Sequence, residues 1–326
     1  MYRYSVCVLL ILIFSCRHTS ERECSAFLNS DGAIGALLLS QYESLEELKK
    51  DVDISYAVTP YSTKSNHRGK HEVQVSHSVR NGCVISVLKT GVDEGDFNQA
   101  RDGNLMDRIK LALKTPFAVL HKNDLVSIEL LGRRRYEMFG EGDIAFYDLA
   151  EQMVRNIRKE FAEELSERDL SEKGYLNTFN HIVAQAIMTA VYSEQLADFV
   201  ADVHERYTMP ELMTGEFSPE QLSDIEKGPV DNYVDMINNE WGQELGKRFR
   251  NKHTITKGMQ WTPELLTALL NYSQQQCGHA LGIRFHPFRP SDEMVVRFAD
   301  KINKTNSGVT GYIEYYFARV KPNMNC

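Results

Sequence analysis

The stretch Asp231-Asn232-Tyr233-Val234-Asp235-Met236-Ile237-Asn238-Asn239-Glu240-Trp241-Gly242-Gln243-Glu244-Leu245-Gly246 decides how this chain folds. At helical pitch Asp231 and Asp235 stand one turn apart, and Asn239 follows four residues on, so three polar side chains share one face. Asn238 lies beside that stripe, and Gly242 and Gly246 continue it. A glycine inside a helix costs about 1 kcal/mol against alanine. Two of them on one stripe predict a second helix crossing very close, and the segment as a whole predicts a long helix over residues 230–249.

Further helices flank it. Phe146, Leu149, Met153, Val154, Ile157, Phe161 and Leu165 recur at three- and four-residue steps. Residues 175–192, 194–207, 265–276 and 291–302 predict four more helices. Thr262-Pro263-Glu264 and Ser218-Pro219-Glu220 are start signals, with a hydroxyl cap before proline at the first helical position. The N-terminal part reads differently. An apolar run at 33–39 predicts a helix, and Ser44 with Glu47 fits a capping box before Leu45. Residues 54–58, the alternating Val73, Val75 and His77, and Cys83 to Leu88 predict strands, with Asn81-Gly82 as a hairpin signal between the last two. Residues 105–113 predict a short helix. Residues 117–120 and 125–131 read as two more strands around a turn at Lys122-Asn123-Asp124, and residues 311–320 as a terminal strand. The expected fold class is α+β: a small antiparallel N-terminal sheet at 31–143, then a mainly α-helical C-terminal domain at 144–326.

The N-terminus carries an address. Arg3 precedes the apolar run Val6-Cys7-Val8-Leu9-Leu10-Ile11-Leu12-Ile13-Phe14, and the chain turns polar after Cys16. Spanning a bilayer takes roughly 20 apolar residues, so this run has the length of a secretory signal core. Ile13-Phe14-Ser15-Cys16 resembles the lipobox of bacterial lipoproteins, whose cysteine is acylated and becomes the new N-terminus. The resemblance implies a signal peptide at 1–16, lipidation of Cys16, a tether at 17–30, and a lipid-anchored protein of the bacterial cell envelope, in the outer membrane or periplasm. The alternative is an ordinary signal peptide cut near Ser15. Four later cysteines, Cys24, Cys83, Cys277 and Cys326, allow disulfides in an oxidising compartment, with Cys277 read as a disulfide cysteine.

Composition is that of a globular protein, 42% hydrophobic and 25% charged. With a net charge of −8 nothing points to nucleic acid as a partner, and the mature surface is not expected to spread over anionic lipid. No Gly-x-Ser-x-Gly elbow or His-Glu-x-x-His motif is present, and Gly140-Glu141-Gly142-Asp143 lacks the Gly-Lys-Ser/Thr ending of a phosphate loop. Cys277-Gly278-His279 and the pair His279 and His286 are weaker candidates for chemistry.

The candidate site lies in the helical half. Asn177 to Ala186 sets Asn177, Thr178, Asn180, His181 and Gln185 on an apolar helix, His204-Glu205 closes the next helix, and Asp231 and Asp235 open the long one. Imidazoles and carboxylates converging from facing helices are how bundles hold metals, and this donor set suits one divalent transition metal, Zn, Mn or Fe. His181, His204, Asp231 and Asp235 are the expected ligands, Glu205 the expected general base, and Asn238 and Asn239 the groups that orient partners or substrate. Taken in order, these pieces resemble an uncharacterised bacterial helical domain of exported, wall-associated and toxin-like proteins. Its pattern has Arg-His on one helix, His-Glu on the next, and Asp-x-x-x-Asp-x-x-Asn-Asn-x-x-Gly-x-x-x-Gly on a third. Asn180 stands here where that pattern has Arg, and Thr178 where Asp is usual. The resemblance implies a shared helical fold and polar site, with no established activity attached. Two functions follow: a metal-dependent hydrolase acting on an envelope substrate, or a non-catalytic envelope lipoprotein in which the polar groups fix helix packing and another surface binds a protein partner.

Overall fold

The computed structural model describes residues 35–59, 70–79, 82–214, 216–223 and 228–307. The expected signal peptide with Cys16, the tether, Cys24, the terminal strand at 311–320 and Cys326 lie outside the described residues.

The described residues begin in extended backbone, turn through a 3-10 turn at Leu39–Gln41 and form one helical turn at Leu45–Leu48, where Ser44 accepts from the Glu47 amide. Three antiparallel strands follow in sequential order: β1 (Val52–Thr59), β2 (Lys70–Val79) and β3 (Gly82–Lys89). Val79 pairs with Gly82, which begins β3; Asn81 of the expected hairpin signal lies outside the described residues. Val73, Val75, Val84 and Leu88 are buried and belong to the same core as the helices.

Helices occupy the rest of the described chain. They are α1 (Glu94–Asp102), α2 (Leu105–Lys114), α3 (Pro116–Leu120), α4 (Lys122–Gly132), α5 (Phe146–Arg155), α6 (Tyr175–Val191), α7 (Glu194–Thr208), α8 (Pro229–Lys252), α9 (Pro263–Leu281) and α10 (Glu293–Ser307), with single turns between some of them. This bears out the α+β class, a small sheet followed by helices. Their ends follow local chemistry. Thr262 caps α9 through the Leu265 amide, Pro263 holds its first position, and Gly282 ends it in the left-handed region at φ 70°. Helix α5 stops at Asn156 because residues 156–158 turn to pair with 284–286, through His286 N to Asn156 O and Arg158 N to Arg284 O.

Three expectations are corrected. Residues 117–120 and 125–131 are helical, in α3 and α4. Thr115 caps α3 through the Ala118 amide with Pro116 at the first helical position, and the buried Ser127, Ile128 and Leu131 fall at helical spacing. The run at 33–39 is not an α-helix where it is described. Residues 36–38 are extended and Leu39 begins the 3-10 turn, because the Leu37 backbone is bonded to side chains of two later helices: Leu37 N donates to Asn238 Oδ1 at 2.9 Å, and Leu37 O accepts from Asn238 Nδ2 at 3.0 Å and Thr178 Oγ1 at 2.8 Å. Cys277 is a buried free thiol, its pKa pushed far up by burial, and is no disulfide cysteine.

The centre of the fold is α6 against α8. A Cβ on Gly242 would stand 2.6 Å from the Ile182 carbonyl oxygen, and one on Gly246 2.4 Å from that of Ala186. The close crossing expected from the two glycines is therefore present, and its partner is the helix carrying His181. Contacts this short displace backbone, so Gly246→Ala forces the helices apart. Overpacking of this kind costs about 1–3 kcal/mol. Chemical denaturation should show a lower midpoint for Gly246→Ala; an unchanged midpoint would contradict the crossing.

Candidate functional site

Helices α6 and α8 run in the same direction in a fixed register. Asn177 bonds Asp235, His181 bonds Asn239, and Gln185 bonds Gln243, each pair 58 residues apart in sequence and each step one helical turn. Four-residue spacing on both helices puts these side chains on facing stripes, and the glycines below let the stripes meet.

Within this ladder His181 is held from both ring nitrogens. Nδ1 lies 2.9 Å from Asn239 Oδ1 and Nε2 lies 3.2 Å from Asp235 Oδ2. Asn239 turns its amide nitrogen to Glu205 Oε1 on α7 at 2.9 Å, which fixes Asn239 Oδ1 as the acceptor facing the ring. Asn177 Nδ2 donates to the other Asp235 oxygen at 2.9 Å. With acceptors on both sides, the ring donates twice and is an imidazolium. Burial opposes that charge, but Asp235, its hydrogen bond, and Glu205 beyond it outweigh burial and raise the His181 pKa to about 10. Glu205 is buried; burial first and the Asp235 charge second push its pKa up to about 7.

His181, Glu205 and Asp235 each offer a ligand atom within 4.8 Å of the others, an arrangement that can hold a cation. The expected site is thus assembled in part. His181 and Asp235 are brought together as expected. Glu205, expected as a base, stands in the cluster itself, and Asn239 bridges it to His181. His204 does not join: it points to the surface, where Nδ1 meets Glu94 Oε1 at 2.8 Å, a bond that raises the histidine's pKa and lowers the glutamate's. Asn238 is turned away to grip Leu37. Asp231 is outside the ligand set and lines a neighbouring cleft of about 350 Å³ with Leu39, Tyr147, Lys173, Asn177 and Asn180. Burial, then the Asp235 charge one turn away, raise its pKa to about 8. The cleft reaches the cluster through Asn177, the shared wall. Asn177 as a clamp on Asp235 was not expected; its signal was the matched four-residue spacing of 177 and 181 with 235 and 239.

A second acid with a raised pKa, half-buried, lies further along α8. Burial and the charges of Asp198 and Asp202 raise the Glu240 pKa from the ordinary glutamate value of 4.5 to about 8, with a Ser86 hydrogen bond opposing them. The folded state then holds a proton the unfolded chain releases, so the stability this group contributes is present below pH 4.5 and is lost as pH rises through about 8. Near pH 6 one such proton gives a slope of about 1.4 kcal/mol per pH unit. Denaturation across this range should lose that slope in Glu240→Gln; equal slopes in both proteins would contradict the raised pKa.

No family model matches the chain, and neither does any curated protein or solved structure.

Proposed function

We propose that this protein is an exported, lipid-anchored envelope protein whose α6–α7–α8 cluster binds one divalent transition metal and serves hydrolysis of an envelope substrate. The observation that carries the metal reading is the convergence of His181, Glu205 and Asp235 from three helices beside a cleft. Metal–ligand bonds of about 2.1 Å, meeting at angles between octahedral and tetrahedral, put neighbouring ligand atoms roughly 3.0–3.4 Å apart. The His181 Nε2 to Asp235 Oδ2 separation of 3.2 Å already matches that span. Asn177 on one Asp235 oxygen and Asn239 on the ring's far nitrogen and on Glu205 are the outer bonds that orient ligands. A metal here would supply a Lewis acid and an activated water. Asp231, on the cleft side, is placed to exchange a proton with a substrate, and Asn177 and Asn180 to hold its polar groups. The export reading is supported by the run Val6 to Phe14 and by Cys16 in its lipobox-like setting. The likeness to the uncharacterised helical domain of exported proteins supports it in the same sense.

A second reading rests on its own observation. Both ring nitrogens of His181 have partners, so the same groups also serve as a closed network fastening three helices of a non-catalytic binding protein. Elemental analysis separates the two. The purified full chain, loaded with Zn, Mn or Fe and dialysed, should retain one equivalent, and Glu205→Gln should lose it with an unchanged circular dichroism spectrum. No retained metal in the unmodified chain would establish the second reading.

A further inference from the structure

We propose that α2 and the short helix after it lie flat on an anionic bilayer surface. No residue of α2 is buried. Leu105, Met106, Ile109 and Leu113 are exposed by 72%, 57%, 43% and 77%. At roughly 100° per residue these four occupy one arc of about a third of the helix, with Arg108 and Lys110 on its two sides. Val119 and Leu120 of α3 are exposed as well. A folded protein in water seldom leaves such a row uncovered.

Charge selects the occupant. Between Asn104 and Lys122 the chain carries Arg108, Lys110, Lys114 and Lys122 against the single acid Asp107, although the whole chain has net charge −8. Lys110 and Lys114 pair with Asp107 and Asp96 in exposed contacts that salt and competing anions weaken. A second copy docking by two-fold symmetry would set this basic border against itself. An anionic lipid surface supplies apolar depth under the row and negative charge at its edges, the setting in which an amphipathic helix with Lys and Arg flanks lies in the interface. Among the described residues no helix is long and apolar enough to cross a membrane, so this face would rest on the bilayer without spanning it. One acyl chain alone holds a protein to a membrane only marginally, and a second contact of this kind makes attachment stable. The proposal is independent of the metal centre and takes from the export reading only that a membrane is near.

The test uses the full chain carrying Leu113→Trp, with vesicles of phosphatidylglycerol and phosphatidylethanolamine whose acyl chains are dibrominated. Trp241 and Trp261 are buried in the core and stay out of reach of lipid. The introduced indole should shift to the blue and lose about half its emission on these vesicles, the depth of an interfacial helix. Adding Lys110→Glu and Lys114→Glu should abolish the quenching. Three results would overturn the proposal: no quenching, equal quenching on phosphatidylcholine vesicles, or a blue shift that grows with protein concentration in the absence of lipid, which would show that the face pairs with itself.

Discussion

Replacing Asp235 by alanine lowers the stability of the metal-free protein by about 3–5 kcal/mol, the loss expected when one partner of a buried ion pair is removed. The reason is specific to this site. Asp235 receives the Nε2 proton of His181 and the amide of Asn177, and little solvent reaches it. Without it the imidazolium keeps one acceptor, Asn239, and faces the void left by a carboxylate. The ring then gives up its proton or draws water into the bundle, and both choices oppose folding. The double variant Asp235→Ala/His181→Leu removes both charges and should recover much of the loss, because what destabilises is the unpaired charge. Denaturation midpoints of the two single variants and the double variant measure this; simple additivity would mean that the pair is not coupled.

Lys301→Met is the second large effect, again about 3–5 kcal/mol. Lys301 is 1% exposed on α10. Its ammonium has three donors, and the fold supplies three acceptors: Arg133 O, Asp143 Oδ2 and Ile144 O, each at 2.8 Å. The Phe139 ring lies 4.9 Å away and adds its negative face. Burial depresses the lysine's pKa while Asp143 opposes that shift. The ammonium thus ties α10 to the loop between α4 and α5 from inside. Methionine fills the space but takes the countercharge from Asp143, whose carboxylate keeps only the Arg135 and Ile144 amides, and removes the ammonium donor from the Arg133 and Ile144 carbonyls, so a buried charge is left without its partner. Thermal unfolding followed by near-ultraviolet circular dichroism checks this, and a melting temperature equal to that of the unmodified protein would contradict it.

The helical framework was legible in the sequence because its determinants are local. Two glycines four residues apart on a polar stripe predicted the close crossing, and 2.4–2.6 Å approaches at those positions are its realisation. His181 facing the Asp235 stripe followed from the same periodicity. The choice between His204 and Glu205 was not legible. They are neighbours on α7, roughly 100° apart around the helix, and only the packing of α7 on α8 decides that the glutamate turns inward. Asn238 and Asn239 divided their work for the same reason: adjacent on α8, one faces Leu37 and the other His181. Residues 117–131 are ambiguous in sequence because short apolar runs fit strand and helix alike; what marks the helix is the Thr115-Pro116 start, of the same form as Thr262-Pro263. The segment at 36–38 is apolar by any local measure. What holds it extended is Asn238, 201 residues away from Leu37, and no local pattern carries that contact.

The proposed metal site is tested most directly by an anomalous difference map, recorded at the zinc edge, from crystals of the protein grown with zinc. One peak bounded by His181 Nε2, Asp235 and Glu205, with the cleft beside Asp231 open to it, is the predicted result. A map with no peak there, and with His181 still bonded to Asp235 and Asn239, would make the cluster a structural lock and end the hydrolase reading.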